Sequence, residues 1–426
     1  MDITRIQDDL YFLGDNDEKL TAFDNMYLLP DGMSFNSYLL KDEKNVLFET
    51  IERPNVLNNS PELSVWRLNK NPAKPYSSGF YAPDSHLHEE FIKKLENVLK
   101  GEKLDYVIVQ HAEPDHTGAL EELISLHPET KIVTTAMGRN FLKAYQPQIP
   151  DSQYLVVLPN KDFVTGKHTL TFIPAPLVHW PEVFFVYDKT NGNLFSADAF
   201  GKFGAINAVF ADENNLDDFF YSEMRRYYAN IVGKFGSSVQ RALAAAFKFD
   251  IKMILPLHGP VWRKDFSTIL DLYNKMSSFT PLDEKGVMVG IGTVYGHTGT
   301  AASHFSRYFP EARFYDIAKI NESYLISEAF RSKVIILAGI THEGEMFPPM
   351  EALITRLKHI GIRNRIFAVM ENGTWAPAAG KKMLLALKEI PGNEVIDDII
   401  TIKGTFNPEQ EKDVERVSDE IKEFMK

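Results

Sequence analysis

The alternation of apolar and polar positions divides the chain into two parts with different rhythms. In the first part, short β-prone runs between turns predict strands, and longer amphipathic stretches predict helices. The predicted strands fall at 9–13, 37–40, 45–49, 106–110, 131–135, 153–158, 169–173, 183–187, 193–197 and 252–257, and helical periodicity covers 89–99, 119–126 and 216–248. Strands in two groups with helices outside them predict a four-layer α/β/β/α sandwich.

The second part has a regular β–α alternation that begins after a break in the pattern at 274–286. Strands are predicted at 287–292, 313–317, 334–338 and 365–370, and helices at 298–308, 323–330, 350–360, 376–389 and 408–425. Strands alternating with helices in this way predict a doubly wound domain of flavodoxin size. We therefore expect two domains, 1–277 and 278–426. The Pro-, Asn- and Ser-rich stretch 52–88 predicts a long loop whose role the sequence leaves open.

Composition narrows the possible chemistry. A net charge of −12 argues against a nucleic-acid-binding surface. The sequence contains no cysteine, which excludes disulfides, iron–sulfur clusters, thiolate zinc sites and a catalytic cysteine. Any metal must therefore be held by nitrogen and oxygen atoms. The N-terminal residues lack a signal-peptide pattern, and no apolar run approaches the roughly 20 residues of a membrane-spanning helix. We expect a cytoplasmic protein that binds neither membrane nor nucleic acid.

One six-residue motif, HAEPDH, carries the strongest chemical signal. It follows the predicted strand 106–110 and supplies four possible metal ligands, which are His111, Glu113, Asp115 and His116. Three more candidates follow predicted strands further along the chain, namely His179, Asp198 and His258. A single histidine at a strand end is usually a core or surface residue. Seven nitrogen and oxygen ligands at strand ends, in contrast, are the number that a two-metal site with one bridging ligand requires.

This ligand pattern resembles that of the flavodiiron proteins, whose N-terminal domain has the metallo-β-lactamase fold. The surrounding residues LVHWPE, FSADAFG and LHGPVWR are similar as well. The resemblance implies that one iron is held by His111, Glu113 and His179, and the other by Asp115, His116 and His258, with Asp198 bridging them. Zinc hydrolases of the same fold commonly carry HxHxDH, whereas Glu113 adds a hard carboxylate donor, which suits iron that cycles between ferrous and ferric states.

A second motif, TVYGHTGT at 293–300, lies where the first strand of the doubly wound domain meets a helix. Hydroxyls and backbone N–H groups there can cradle a phosphate, although such a start also serves as an ordinary helix cap. The motif resembles the phosphate loop of flavodoxins, with a histidine where asparagine is more usual. Two further strand-end loops match flavin-contacting positions by resemblance. The candidate FMN contacts are Thr293, Val294, Tyr295, Gly296, His297, Thr298, Gly339, Ile340, Thr341, His342, Glu343, Gly344, Glu371, Asn372, Gly373, Thr374 and Trp375.

The resemblance, to the A-type in which a diiron domain is fused to an FMN domain, implies an oxidoreductase. FMN would pass electrons to the diiron site, which would reduce dioxygen to water, nitric oxide to nitrous oxide, or both. It also implies a head-to-tail homodimer, or a tetramer of such dimers, that brings the flavin of one subunit beside the iron of the other. Because the sequence lacks cysteine, we expect a separate electron donor, either a rubredoxin-type protein or a reduced deazaflavin.

Two other functions stay open at this point. The first is a binuclear zinc hydrolase with an accessory flavodoxin-like domain, and the second is a flavin-dependent redox sensor with a vestigial metal site. Glu113 and the phosphate loop argue against the hydrolase. The preference between oxygen and nitric oxide depends on pocket-shaping groups, for which Tyr27, Phe35, Trp180 and Phe200 are candidates.

Overall fold

A computed structural model describes residues 1–52, 85–264 and 266–426. Most of the predicted loop 52–88 therefore lies outside the described residues. Two compact units are present, one formed by residues 1–224 and 237–269 and the other by 225–236 and 270–426. The proposed division into domains 1–277 and 278–426 stays a prediction. No helix among the described residues combines the length and the apolar character needed to cross a membrane.

The strands up to residue 255 are short. They are β1 Thr4–Arg5, β2 Leu10–Phe12, β3 Asp15–Asp17, β4 Ala22–Phe23, β5 Tyr27–Leu28, β6 Met33–Phe35, β7 Tyr38–Leu40, β8 Val46–Phe48, β9 Tyr106–Ile108, β10 Lys131–Thr134, β11 Tyr154–Val156, β12 Asp162–Val164, β13 Thr169–Pro174, β14 Phe184–Asp188, β15 Asn193–Phe195 and β16 Met253–Leu255. Among the described residues they form a seven-stranded sheet, β1-β2-β7-β8-β9-β10-β11, and a five-stranded sheet, β12-β13-β14-β15-β16. The pairs β3–β6 and β4–β5 form two small sheets.

The helices up to residue 277 lie between these strands or follow them. They are α1 Ser85–Leu99, α2 Pro114–Thr117, α3 Leu120–Leu126, α4 Ala136–Tyr145, α5 Asp218–Tyr227, α6 Gly236–Ala246 and α7 Phe266–Ser277. A π-helical turn, Tyr228–Val232, and a 3₁₀ turn, Gly233–Phe235, separate α5 from α6, so the long helix expected over 216–248 is interrupted. The predicted pattern break at 274–286 begins inside α7.

The two large sheets pack face to face through aromatic side chains. Phe48 from the first sheet stacks on Phe195 from the second, with ring centroids 3.6 Å apart and an interplanar angle of 5°. Tyr38 meets Phe195 edge-on. Strands β8, β9, β10 and β11 run parallel, and parallel neighbours need crossover connections, which here contain α1, α3 and α4. Because the inner face is covered by the other sheet, these helices take the outer face, which is the expected sandwich.

The second unit is built around a parallel sheet with the order β18-β17-β19-β21-β22, and β20 pairs with the end of β19. Its elements are β17 Asp283–Ile291, α8 His297–Ser303, β18 Arg313–Asp316, α9 Glu322–Arg331, β19 Ser332–His342, β20 Glu345–Met346, α10 Pro348–Ile360, β21 Ile366–Asn372, α11 Ala379–Lys388, β22 Glu394–Ile402 and α12 Glu411–Phe424. In order of appearance the five parallel strands read 2-1-3-4-5, which is the flavodoxin-like topology. The inner strands β19 and β21 are mostly apolar and buried, as expected where helices cover both faces of a parallel sheet.

A buried histidine at the start of β13 lies between two carboxylates. His168 Nδ1 is 2.8 Å from Asp188 Oδ2, and its Nε2 is 2.9 Å from Asp9 Oδ2. The hydrogen bond to Asp188, together with that to Asp9, raises the pKa of His168 to about 9. Since both ring nitrogens face acceptors, the imidazolium is the form that satisfies the site.

This arrangement predicts a pH-dependent stability. A pKa raised from 6.5 to about 9 means that the stabilisation is complete below pH 6.5 and is lost as the pH rises through 9. We expect the free energy of unfolding to fall by about 2 kcal/mol over that interval. In His168→Asn this decrease should be missing, which denaturant titrations of both proteins at several pH values would measure. An equal decrease in the variant would contradict the prediction.

Candidate functional site

The HAEPDH motif wraps from the end of a strand into the first turn of a helix. Strand β9 ends at Ile108, and α2 begins at Pro114, with Glu113 at its N-cap. Proline is well suited to the first helical position because the N–H it lacks has no partner there. As a result Asp115 and His116 fall in the first helical turn, so a few residues present four side chains in different directions.

The seven predicted metal ligands converge into two neighbouring groups. The first group is His111, Glu113, His179 and Asp198, and the second is Asp115, His116 and His258. Within each group, the candidate ligand atoms all lie within 4.8 Å of one another. The strands explain the convergence, because Asp198 and His258 follow the parallel strands β15 and β16, which end at the same edge of their sheet.

Asp198 lies between the groups and presents one oxygen to each. Its Oδ2 is 3.0 Å from His179 Nε2 and 3.5 Å from His111 Nε2. Its Oδ1 is 3.1 Å from His116 Nε2 and 3.8 Å from His258 Nε2. This is the arrangement that a carboxylate bridging two metal ions requires.

The spacing of the ligand atoms fits metal ions. Nitrogen and oxygen atoms bound to one ion at about 2.1 Å are separated by roughly 3.0–3.4 Å. Glu113 Oε2 lies 2.9 Å from His111 Nε2 and 3.0 Å from His179 Nε2, and Asp115 Oδ2 lies 3.3 Å from His116 Nε2. Both carboxylate oxygens of Asp115 and both ring nitrogens of His116 are buried without a hydrogen bond from any described residue. Bound cations would satisfy these atoms.

The charges of the cluster depend on one another. Burial disfavours the protonated ring of His111, but hydrogen bonds to Glu113 and Glu182 raise its pKa well above the ordinary value. Burial likewise disfavours the ionised carboxyl of Asp198, yet His116 and His179 hold its pKa well below the ordinary range. The anionic carboxylates and the cationic rings therefore neutralise each other, and metal cations can take over the positive charge.

Several residues around the cluster have left-handed backbone conformations although they are not glycine. The φ angles are 48° at Ala197 and 69° at Phe200, on either side of Asp198, and 65° at Leu177, two residues before His179. Such conformations cost free energy and persist where the surrounding structure enforces them. They aim the ligands, and a pattern of hydrophobicity does not reveal them.

Three groups behind the ligands were not among the predicted site residues. Glu182 Oε1 is 2.9 Å from both His111 Nδ1 and the backbone nitrogen of Ala112. Glu49 Oε1 accepts hydrogen bonds from the backbone N–H groups of Gln110 and His111. The carbonyl of Ser34 is 2.7 Å from His258 Nδ1. Glu49 directly follows β8, which pairs with β9 in parallel, so its place beside the motif follows from strand order.

Aromatic rings cover the ligand histidines. Phe23 and Phe35 meet His258 edge-on, with centroids 5.5 and 5.4 Å away. Trp180 meets His111 at 5.1 Å. Of the residues suggested to shape the pocket, Phe35 and Trp180 thus touch ligand rings, and Tyr27 packs on Phe203. Phe23 was not among the predicted site residues. It lies in the short strand β4, which the sequence pattern did not predict.

A pocket of about 330 Å³ lies at the carboxyl ends of strands in the second unit. Twelve of the predicted flavin contacts line it, namely Thr293, Val294, Tyr295, His297, Thr298, Ile340, Thr341, His342, Asn372, Gly373, Thr374 and Trp375. Tyr295 and Trp375 are 89% and 84% exposed, which leaves their rings free to flank a planar ligand. Thr298 is buried, and its hydroxyl has no hydrogen-bond partner among the described residues, as expected of a group that binds a ligand.

Five predicted flavin contacts do not line this pocket: Gly296, Gly339, Glu343, Gly344 and Glu371. The carboxylate of Glu371 instead accepts hydrogen bonds from the backbone N–H of Gly380, at the start of α11, and from the hydroxyl of Thr401. Two lining residues, Ala376 and Gly404, were not predicted. Gly404 exchanges two hydrogen bonds of 2.9 Å with the side chain of Asn372. It follows β22, a strand whose bounds the sequence pattern did not define.

Comparisons with known proteins agree with this architecture. Residues 82–259 match the family model described as "ODP family beta lactamase". The chain is 25% identical over 417 residues to the anaerobic nitric oxide reductase flavorubredoxin of Escherichia coli O1:K1, covering 95% of this chain and 78% of that protein. The protein of that name from Shigella flexneri matches equally well.

Solved structures share the fold over the full length. The rubredoxin oxygen:oxidoreductase of Desulfovibrio gigas superposes with a TM-score of 0.86 at 21% identity, covering 100% of this chain and 98% of that one. The flavodiiron protein of Giardia intestinalis also gives 0.86, at 22% identity and with 100% and 97% coverage.

Fold and site together define a metallo-β-lactamase-like domain with a candidate two-metal centre, followed by a flavodoxin-like domain with a ligand pocket. Over its length the chain shares the fold of flavodiiron proteins. The relatives that it resembles are named as reductases or oxidoreductases.

Proposed function

We propose that this protein passes electrons from FMN to a non-haem diiron centre that reduces dioxygen to water, nitric oxide to nitrous oxide, or both. The observation that carries the proposal is Asp198, whose two oxygens each face one group of ligands. When bound, a pair of iron ions supplies electrons singly to a small diatomic molecule. The names of the relatives, a nitric oxide reductase and an oxygen oxidoreductase, support both substrates.

The ligand roles follow from the two groups. His111, Glu113 and His179 would hold one iron, and Asp115, His116 and His258 the other, with Asp198 between them. His111 and His258 turn Nε2 towards the cluster because their Nδ1 atoms face Glu182 and the Ser34 carbonyl. Phe23 and Phe35 cover His258 and would limit the entry of water.

Three expectations from the sequence remain proposals for this chain. The electron donor would be a separate rubredoxin-type protein or a reduced deazaflavin, because the sequence has no cysteine to build a thiolate iron site. The assembly would be a head-to-tail homodimer or a tetramer of such dimers, which mass measurement in solution would test; an active monomer would contradict it. A cytoplasmic location stays a prediction.

The test of the function combines metal analysis, a visible spectrum and reoxidation kinetics. We expect about two iron ions and one FMN per chain. Protein reduced without oxygen should be reoxidised rapidly by dioxygen, nitric oxide or both in stopped-flow experiments, and comparable rates would show that both are substrates. Zinc without flavin would contradict the proposal and favour a binuclear hydrolase. Flavin with no metal would favour a redox sensor.

The buried hydroxyl of Thr298 provides a test of the FMN pocket. Replacement by valine keeps the shape but removes a donor that has no protein partner among the described residues. We expect Thr298→Val to weaken FMN binding about 10-fold or more, since a hydrogen bond to a charged group contributes about 1.5–3 kcal/mol. Quenching of flavin fluorescence on titration into flavin-free protein measures the affinity.

The matched control for this experiment is Thr300→Val in the same helix. The Thr300 side chain is exposed and its hydroxyl already bonds to the Gly296 carbonyl at 3.3 Å. We expect its FMN affinity to stay within about 3-fold of the original, because it lies outside the pocket lining. Equal affinities in all three proteins would contradict the role of Thr298.

A further inference from the structure

Glu182 makes its contacts on the side of His111 that faces away from the candidate metal centre. Its Oε1 lies 2.9 Å from His111 Nδ1 and 2.9 Å from the backbone nitrogen of Ala112. The other ring nitrogen, His111 Nε2, lies 2.9 Å from Glu113 Oε2 and 3.3 Å from His179 Nε2. Glu182 is only 4% exposed. One carboxylate oxygen therefore fixes both the ring of His111 and the backbone that leads to Glu113.

In the second ligand group, the hydrogen-bond acceptor behind the histidine carries no net charge. His258 Nδ1 meets the carbonyl of Ser34 at 2.7 Å rather than a carboxylate. An anionic acceptor draws the proton of a ligand histidine more strongly than a carbonyl does, which makes the opposite nitrogen a better electron donor to a metal. Each group has one carboxylate of its own, Glu113 in the first and Asp115 in the second, so the additional negative charge beside the first metal would come from Glu182. The two metal positions are chemically unequal.

A surface pocket reaches Glu182 from outside. It has a volume of about 180 Å³ and is mostly apolar, with Pro174, Pro181 and Phe184 among its lining residues besides Glu182. Met137 and Leu158 also line it and are 46% and 62% exposed, so it opens to solvent. The second carboxylate oxygen of Glu182, Oε2, has no hydrogen-bond partner among the described residues. Since Glu182 lines this pocket and is itself buried, shortening its side chain to alanine would leave a space beside His111 that adjoins the pocket.

We propose that Glu182 is a positioning residue that holds His111 with Nε2 towards the first metal and makes that metal more electron-rich than the second. This inference rests on the proposed diiron function. It requires the negative charge of the carboxylate as well as its shape, and the two requirements can be separated experimentally.

The experiment compares Glu182→Gln and Glu182→Ala with the original protein. Iron affinity is measured without oxygen by competition with a chromogenic chelator, and the reduction potentials of the two iron ions by spectroelectrochemical titration. In Glu182→Gln the shape is kept and the charge is lost, so we expect a higher reduction potential at one iron. In Glu182→Ala we expect the affinity for one of the two iron ions to fall about 10–100-fold.

The pocket allows a rescue experiment with Glu182→Ala. Formate is small enough to enter through the pocket and take the place of the missing carboxylate. We expect formate to restore iron affinity, and chloride at the same ionic strength to leave it low. If formate has no effect, the loss of affinity reflects packing alone and the proposal is wrong. Glu182→Gln carries the test on its own if Glu182→Ala does not fold.

Asp188→Asn is the matched control, because Asp188 is also a buried carboxylate on the Nδ1 of a histidine, at 2.8 Å from His168. We expect it to lower thermal stability but to leave iron affinity and potentials unchanged. Glu182 variants with unchanged affinity and potentials would overturn the inference while leaving the diiron function intact. Original protein that binds no iron would instead refute the proposed function.

Discussion

Replacing Asp198 with asparagine is expected to remove most bound iron and to lower oxygen or nitric oxide reduction about 100-fold or more. Within the described part of the chain, Asp198 is the residue whose oxygens face both ligand groups, so the substitution affects both metals. An amide supplies one acceptor oxygen and turns two N–H donors towards the other cation. Because loss of a group behind a ligand already costs about 10–100-fold, loss of a bridging ligand should cost at least as much.

Elemental analysis, circular dichroism and reoxidation kinetics on the same preparation measure this effect. Asp188→Asn again serves as control, since it neutralises a buried carboxylate outside the cluster, and it should retain iron and activity. An Asp198→Asn protein with a full complement of iron and undiminished rates would show that Asp198 does not bridge.

The second large effect is expected at Arg365, which is buried in the flavodoxin-like unit. Its guanidinium donates hydrogen bonds to the carbonyls of Ala329, Phe330, Phe279 and Arg363, at 2.7–2.9 Å. Arg365→Met would remove the donor from the buried carbonyls of Ala329 and Phe330 and leave the Phe279 carbonyl with only a 3.4 Å contact from Asn364 Nδ2. We expect the free energy of unfolding of this unit to fall by about 4 kcal/mol, because each unsatisfied buried carbonyl costs about 1–3 kcal/mol and only part of the loss relaxes.

Hydrogen exchange followed by mass spectrometry would locate this effect. Amides in β19 and β21 should lose protection, while those in β14 of the other unit should not change. Arg416→Met is the control, since Arg416 is half exposed and pairs with Asp398 and Asp413 at the surface. It should cost less than about 1 kcal/mol. Similar losses in both variants would contradict the structural role of Arg365.

Much of the fold could be predicted from the sequence because the strands are strongly apolar and the helices amphipathic. Most predicted strands were found within two residues of their expected bounds, as for 131–135 against Lys131–Thr134. Helix α4 and strand β12 are among the elements that were missed, as are α7 and the short strands β1 and β3 to β6. Helix α4 mixes polar and apolar residues in a short stretch, and β12 alternates exposed and half-buried positions at a sheet edge. In both α4 and β12, the sequence therefore gives only a weak indication of which side chains are buried.

The candidate site was predictable as a set of residues but not as a geometry. The spacing HxExDH and the strand ends gave all seven candidate ligands. The division of Asp198 between two groups depends on the positive φ angles of Ala197 and Phe200, which hydrophobic patterning does not encode. Beside the candidate FMN pocket, Glu371 follows a strand as predicted, yet its carboxylate accepts a hydrogen bond from the backbone N–H of Gly380 in the first turn of α11.

The sequence by itself determined most of the elements that form and the side chains that are candidates for the chemistry of this protein. Periodicity depends on neighbours in the chain, and metal-binding ability depends on residue type, so both can be read locally. Only the tertiary structure decided which groups support the ligands. Glu49 and Glu182 are 62 and 71 residues from His111 along the chain, and contacts over such distances exist only once the strands have paired and the sheets have packed.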